Sequence, residues 1–146
     1  MAKVLYTAEA HVTGGRDKGH GKTSDGVLEV DLRLPEDLGG PGGATNPEQL
    51  FAVGYAACFE GALGVAARRL KAEAGDAEID SKVMLLPTPE GGFKLGVELD
   101  VRLPQVDDVE VAKEIVGKAH HICPYSNATR GNIDVALTAN GEPVEA

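Results

Sequence analysis

Alternating apolar and polar residues predict five strands along the chain. The first two are predicted over residues 3–12 and 27–34. Two more, over 77–87 and 93–103, flank a Pro-Glu-Gly-Gly stretch that is typical of a hairpin, and the last covers 133–139. Glycine-rich and proline-rich stretches over 13–22 and 35–45 predict loops.

Helical spacing predicts a long helix near the middle of the chain and a shorter one after the hairpin. The long helix covers about 46–71, with Asn46 as N-cap, Pro47 at the first helical position and Gln49 completing a capping box. From 50 to 65 its residues are apolar or small, and Glu60 is the only charge, which favours a buried helix. The shorter helix covers 107–122.

The next two residues, Cys123-Pro124, break this second helix, and Pro124 is suited to begin a short new one. The order β-β-α-β-β-α-β predicts an α+β fold, with an antiparallel sheet wrapped around a long buried central helix. A chain of 146 residues without internal repeat or linker is expected to form a single domain, residues 1–146.

Charge and hydropathy exclude several classes of protein. The chain has 23 acidic and 14 basic residues, for a net charge of -9, and it has no basic stripe of the kind that binds nucleic acid. The same charge disfavours anionic membrane surfaces, and no uncharged apolar run reaches 18 residues, so no membrane partner is predicted. The N-terminus lacks the apolar region of a signal peptide, so we expect a cytoplasmic protein.

The candidate chemistry lies in two cysteines, Cys58 and Cys123. Two thiols are too few for a disulfide scaffold or a four-thiolate zinc site, which leaves inert core residues or a redox couple. His120 and His121 precede Cys123 and are interpreted as solvated or helix-end residues, and no metal or cofactor is predicted.

A nucleophilic Cys58 needs a cation from outside its own helix. It lies twelve residues past the N-cap, beyond the reach of the helix dipole, and apolar surroundings alone raise a thiol pKa. Basic residues at 16, 18 and 22 lie in the glycine-rich loop, and Arg16 offers the planar fork of donors. One positive charge at about 4 Å contributes roughly 4 kcal/mol, or about three pKa units before desolvation is subtracted.

Four segments carry a family resemblance. They are Gly14-Gly15-Arg16; LGGPGGATNPEQLF over 38–51; GYAACF over 54–59; and AHHICPYSNATRGN over 119–132. Together they resemble the organic hydroperoxide resistance proteins, which are thiol peroxidases of the wider OsmC-like family. The Asn-Pro-Glu-Gln and Cys-Pro-Tyr-Ser-Asn forms resemble this branch rather than the OsmC branch. Glu60 has no role assigned by the resemblance.

The resemblance implies a role for four residues. Cys58 is expected to be the peroxidatic thiolate, which becomes a sulfenic acid, and Cys123 the resolving thiol, which forms a Cys58–Cys123 disulfide. Arg16 is expected to stabilise the thiolate, with Glu48 holding Arg16 in place. The resemblance also implies an organic hydroperoxide substrate, reduction by a free or protein-bound lipoyl dithiol, and an intertwined homodimer with sites at the interface.

Other interpretations stay open at this point. The chain is also compatible with an OsmC-type hydroperoxide reductase of broader peroxide use, or with a non-catalytic redox sensor or apolar-ligand binder. Without the resemblance, Glu48 is a first-turn acid that complements the helix dipole, and Arg16 a solvated loop residue.

Ten residues separate Glu48 from Cys58, which is about 15 Å along one helix. If one Arg16 contacts both, Glu48 is expected from the other subunit.

Overall fold

The computed structural model describes residues 2–145, which form an α+β fold with two sheets and one long helix. Within this range the strands are β1 (Ala10–Thr13), β2 (Lys18–Thr23), β3 (Glu29–Arg33), β4 (Glu78–Pro87), β5 (Phe93–Arg102), β6 (Val135–Ala139) and β7 (Glu142–Val144). The helices are α1 (Pro47–Arg69), α2 (Val109–Ile122) and α3 (Pro124–Thr129), and a short 3-10 turn covers Glu36–Leu38.

The chain divides into two compact units, with the boundary between Leu50 and Phe51 inside α1. The first unit holds an antiparallel sheet in the order β1-β2-β3. Among the described residues of this unit, Leu32 is its one buried apolar side chain. Whether the two units constitute a single domain stays a prediction.

The second unit holds a four-stranded sheet in the order β4-β5-β6-β7. Strands β4 and β5 form the predicted hairpin, paired from Glu78 with Arg102 to Pro87 with Phe93. The core combines side chains of α1, β5, α2 and β6 and includes Tyr55, Phe59, Leu63, Val97, Leu99, Val101, Ile115, Val116 and Leu137. This core is where the two sulfur atoms lie.

The structure corrects the predicted strands in four places. Only residues 10–12 of the expected strand 3–12 pair in a ladder, as part of β1, and the predicted loop 13–22 contains most of β2. Alternation of apolar and polar residues does not reveal strand β2, because glycines stand at positions 19 and 21 between its polar residues. Gly19 has no room for a side chain, since a Cβ there would lie 1.9 Å from the Gly15 carbonyl oxygen. Strand β7 was not predicted, and the sheet is not wholly antiparallel, because β5 and β6 pair in parallel.

Helix α1 begins as the sequence predicts. The Asn46 side chain accepts a hydrogen bond from the backbone N–H of Gln49 at 2.9 Å, which is an N-cap. The predicted capping box is modified, because the Gln49 side chain accepts a hydrogen bond from the Thr45 hydroxyl at 2.9 Å. The local sequence therefore fixes where α1 starts.

The expectation that α1 is buried on every side is wrong for the single chain. Tyr55, Phe59 and Leu63 are fully buried, whereas Val53 is 71% exposed and Ala57 and Gly61 are also exposed. By length and composition alone, α1 could cross a membrane, with a window of mean hydropathy 1.6 that is 33% buried. The core helices of soluble proteins meet the same criterion. One apolar face of α1 thus has no cover among residues 2–145.

Candidate active site

The two cysteines lie side by side in the second unit. The Sγ atoms of Cys58 and Cys123 are 3.4 Å apart, with the Cys123 thiol donating, and both residues are free thiols. Cys58 is half-buried in the middle of α1, whereas Cys123 has no exposed surface. The pairing of the two sulfurs, which the sequence alone left open, is therefore a property of the fold.

Cys123 occupies the joint between α2 and α3. Its φ of -62° and ψ of 124° are extended, as the residue before a proline requires. Its N–H donates to the Ala119 carbonyl at 2.9 Å and closes α2, while its own carbonyl accepts from the Asn127 N–H at 2.9 Å and opens α3. The Cys-Pro dipeptide thus ends one helix and starts the next, with the thiol at the corner.

The environment of Cys58 opposes ionisation within the chain. Burial raises the pKa of its thiol above the ordinary value, a hydrogen bond from the Tyr125 backbone N–H lowers it, and the neighbouring Cys123 raises it further. Tyr125 lies in the first turn of α3, where backbone N–H groups have no partner inside the helix. The sequence argument considered the dipole of α1 and the cations of the glycine-rich loop, and it missed this donor. Pro124, a first-turn residue, was the signal for it.

Beside the thiols lies a buried cluster of polar side chains. The Ser126 hydroxyl is 2.7 Å from the Tyr55 hydroxyl and 2.9 Å from His120 Nδ1. His120 is interpreted from the sequence as a solvated or helix-end residue, and it does lie in the last turn of α2. It is not solvated, however, since it is only 2% exposed and contacts Ser126 of α3. Burial, followed by electrostatic interaction with Arg130 and His121, lowers the pKa of His120 and so favours the neutral ring.

Tyr125 also forms part of an aromatic cluster at this end of α1. Its ring centroid lies 5.7 Å from that of Phe51 and 5.6 Å from that of Tyr55. Gly54 makes room for it: a Cβ at this position would lie 2.8 Å from the Tyr125 hydroxyl oxygen. The surroundings of Cys58 are therefore largely apolar and aromatic.

Arg16 and Glu48 form a two-bonded ion pair in the first unit. Arg16 Nη1 donates to Glu48 Oε1 at 2.9 Å, and Arg16 Nη2 donates to Glu48 Oε2 at 3.2 Å. The hydrogen bond to Glu48 is the main cause of the raised pKa of Arg16, which also lies near Asp17. Glu48 also lies in the first turn of α1, so its contact with Arg16 and its place near the helix dipole coexist.

The β1–β2 turn presents Arg16. Gly14 and Gly15 have φ of 77° and 66°, in the left-handed region that glycine adopts without strain. The structure thus brings the four predicted site residues together as two pairs, Arg16 with Glu48 and Cys58 with Cys123. In residues 2–145 no group of three or more His, Cys, Asp or Glu side chains is placed to hold a metal ion.

Known proteins with this sequence and fold share a family. A sequence model of the OsmC-like proteins matches residues 40–138. An organic hydroperoxide resistance protein of Xanthomonas axonopodis pv. citri is 54% identical over 138 residues, covering 93% of this chain and 95% of that protein. The chain belongs to the organic hydroperoxide resistance branch of the OsmC-like family.

Solved structures of this branch have the same fold. An organic hydroperoxide resistance protein from Legionella pneumophila matches with a TM-score of 0.87 and 53% identity, covering 92% of this chain and 97% of that one. One from Vibrio cholerae, described with captopril in one of its active sites, matches with a TM-score of 0.90 and 44% identity over 97% and 96% of the two chains. The family resemblance inferred from the motifs is confirmed.

Proposed function

We propose that this member of the organic hydroperoxide resistance branch is a two-cysteine peroxidase. The observation that carries the proposal is the 3.4 Å approach of a half-buried Cys58 sulfur to a fully buried Cys123 sulfur. The Cys58 thiolate attacks the distal oxygen of a hydroperoxide, the O–O bond breaks, and the alkoxide takes a proton to become an alcohol. Cys58 is then a sulfenic acid.

The second half of the proposed cycle closes and reopens a disulfide. The Cys123 sulfur attacks the Cys58 sulfur, the S–O bond breaks, and the hydroxyl group leaves as water with the Cys123 proton. A dithiol of the lipoyl class, free or carried on a protein, then restores both thiols by exchange and becomes a disulfide itself. The proposed location is the cytoplasm, whose reducing conditions keep thiols such as Cys58 and Cys123 free.

Arg16 is the proposed source of the positive charge that stabilises the Cys58 thiolate. Within the chain, burial and Cys123 raise the Cys58 pKa, so a reactive thiolate needs a cation beyond the Tyr125 N–H. The two hydrogen bonds to Glu48 fix the Arg16 fork in one orientation, which supports Glu48 as its positioning residue. The fork then stabilises the thiolate and the negative charge that develops on the hydroperoxide oxygens.

We also propose that a second copy of the chain completes the site. Helix α1 is continuous from Pro47 to Arg69, as the 15 Å estimate between Glu48 and Cys58 requires. The exposed apolar positions Val53, Ala57 and Gly61 recur every four residues on α1, which suits packing against a second copy. The proposed unit is therefore a homodimer in which the Arg16–Glu48 pair of one copy serves Cys58 of the other.

A mixed dimer tests this arrangement. If Glu48 acts across the interface, a dimer of one Glu48→Ala chain and one Cys58→Ser chain has one doubly damaged site and one intact site. It then regains about half of wild-type turnover. If Glu48 acts within its own chain, both sites are damaged and the mixed dimer stays as weak as the parent dimers, which contradicts the proposal.

Turnover of cumene hydroperoxide with dihydrolipoamide, measured against hydrogen peroxide, tests the activity itself. The apolar and aromatic surroundings of Cys58 support alkyl or fatty-acid hydroperoxides as substrates. A clear preference for cumene hydroperoxide supports the proposal, and comparable use of both peroxides favours the broader OsmC-type activity. Absence of turnover with either peroxide favours a sensor or a binding protein.

A further inference from the structure

A buried hydrogen-bond network lies one helical turn from both cysteines. Tyr55 precedes Cys58 by three residues on α1, and Ser126 follows Cys123 by three residues into α3. The hydroxyl oxygens of Tyr55 and Ser126 are 2.7 Å apart, and the two sulfurs are 3.4 Å apart. The same two segments are therefore joined twice, once by hydroxyl groups and once by sulfurs.

The network extends to a second helix. His120 Nδ1, at the end of α2, is 2.9 Å from Ser126 Oγ. Thr129 Oγ1 is 3.0 Å from the Tyr55 hydroxyl oxygen and donates to the Ser126 carbonyl at 3.3 Å. Two hydroxyl groups of α3 thus contact both helices that flank it.

One assignment of hydrogens uses all four contacts once. Thr129 donates to the Ser126 carbonyl, so Tyr55 donates to Thr129 and Ser126 donates to Tyr55. His120 then donates from Nδ1 to Ser126, which is the tautomer this network selects for the neutral ring. Every proton in the network has an acceptor, so removal of one hydroxyl group interrupts the series of hydrogen bonds.

Burial makes the network sensitive to such a loss. Tyr55 and Ser126 have no exposed surface, His120 is 2% exposed and Thr129 is 6% exposed. A polar group that loses its partner here does not recover it from water. The position of α3 against α1 therefore depends on these side chains as well as on apolar packing.

We propose that Tyr55 and Ser126 are positioning residues for the Cys58–Cys123 disulfide, an inference that rests on the proposed function. They act through α3, whose first turn directly follows Cys123. They do not exchange a proton with either sulfur in this step. By holding α3 in place, they keep the local concentration of the Cys123 thiol at Cys58 high.

The test is the equilibrium between the Cys58–Cys123 disulfide and dithiothreitol, measured on the full chain by thiol trapping and mass spectrometry. Tyr55→Phe removes one hydroxyl group and keeps the ring. We expect the equilibrium constant for disulfide formation to fall about threefold to tenfold, the change that corresponds to one buried hydrogen bond. Ser126→Ala, which breaks two contacts, is expected to lower it at least as far.

Leu137→Val is the matched control, because it removes one buried methylene from β6 in the same core and leaves the network intact. It should leave the equilibrium constant at the wild-type value. Wild-type constants in both Tyr55→Phe and Ser126→Ala would overturn the proposal, as would an equal fall in Leu137→Val. The measurement uses no hydroperoxide, so a wild-type protein that forms the disulfide but lacks turnover contradicts only the proposed peroxidase activity.

Discussion

Replacing Gly14 by alanine should displace Arg16 from its position, although Arg16 itself is not substituted. A Cβ on Gly14 would lie 2.1 Å from the Lys18 carbonyl oxygen and 2.8 Å from its carbon, and φ at this position is 77°. Both clashing atoms belong to the backbone, so no side-chain rotation relieves the contact. The β1–β2 turn, which the Lys18 N–H closes onto the Gly14 carbonyl at 3.4 Å, must therefore open.

Gly15→Ala is the matched control. Its φ of 66° imposes a similar left-handed strain, but a Cβ there has no atom within 4 Å. The strain costs about 1–2 kcal/mol in either variant. The backbone clash adds to it only in Gly14→Ala, for a total of about 3 kcal/mol or more. The difference between the two variants isolates the geometry of the turn.

Two measurements check the result. Urea unfolding should give Gly14→Ala a clearly lower stability than Gly15→Ala, and its turnover of cumene hydroperoxide should fall towards that of Arg16→Ala. Disulfide formation between Cys58 and Cys123 by oxidised dithiothreitol should remain in both variants, because those thiols lie in the second unit. Equal losses of stability and turnover in the two glycine variants would refute the reasoning.

Three further predictions concern the thiols, their cation and the buried histidine. Cys58→Ser should abolish peroxide consumption, whereas Cys123→Ser should form one sulfenic acid and then stall or over-oxidise, as mass spectrometry can follow; equal residual turnover contradicts these roles. Arg16→Ala should raise the Cys58 pKa by up to about three units, and Arg16→Lys should restore it only in part, as measured by thiolate absorbance; an unchanged pKa contradicts the role of Arg16. Because burial lowers the pKa of His120, its contribution to stability is full above the unfolded pKa near 6.5 and is lost as the pH falls towards the folded value. Urea unfolding at pH 7 and pH 5 should therefore show a smaller pH dependence in His120→Asn, and equal dependence contradicts the assignment.

Local sequence signals predicted the helices and strands whose formation depends on residues close in sequence. The N-cap at Asn46 marks the start of α1, and the turn residues between β4 and β5 mark the hairpin. Strand β2 pairs with β1 on one side and with β3 on the other, and the local pattern of β2 does not contain these partners. The parallel pairing of β5 with β6 joins strands more than thirty residues apart, so it too lies beyond a local pattern.

In the candidate site, too, the sequence predicted the residues but not the contacts between them. Motifs identified Cys58, Cys123, Arg16 and Glu48 one by one, and the structure adds the 3.4 Å and 2.9 Å contacts that join them in pairs. The helix-end position of His120 was predictable, but its burial was not, because His120 contacts Ser126, six residues away across a proline-induced corner. The residue types of the site were predictable, and the contacts created when α3 folds back were not.

The burial of the two sulfurs sets an order on the proposed chemistry. Cys123 has no exposed surface, so a bulky hydroperoxide can reach the half-buried Cys58 but not Cys123. The reverse assignment, with Cys123 attacking first, would require the fully buried Cys123 sulfur to become exposed to the hydroperoxide. The burial of Cys123 therefore favours the proposed order, in which Cys58 reacts with the hydroperoxide and Cys123 acts in the second step.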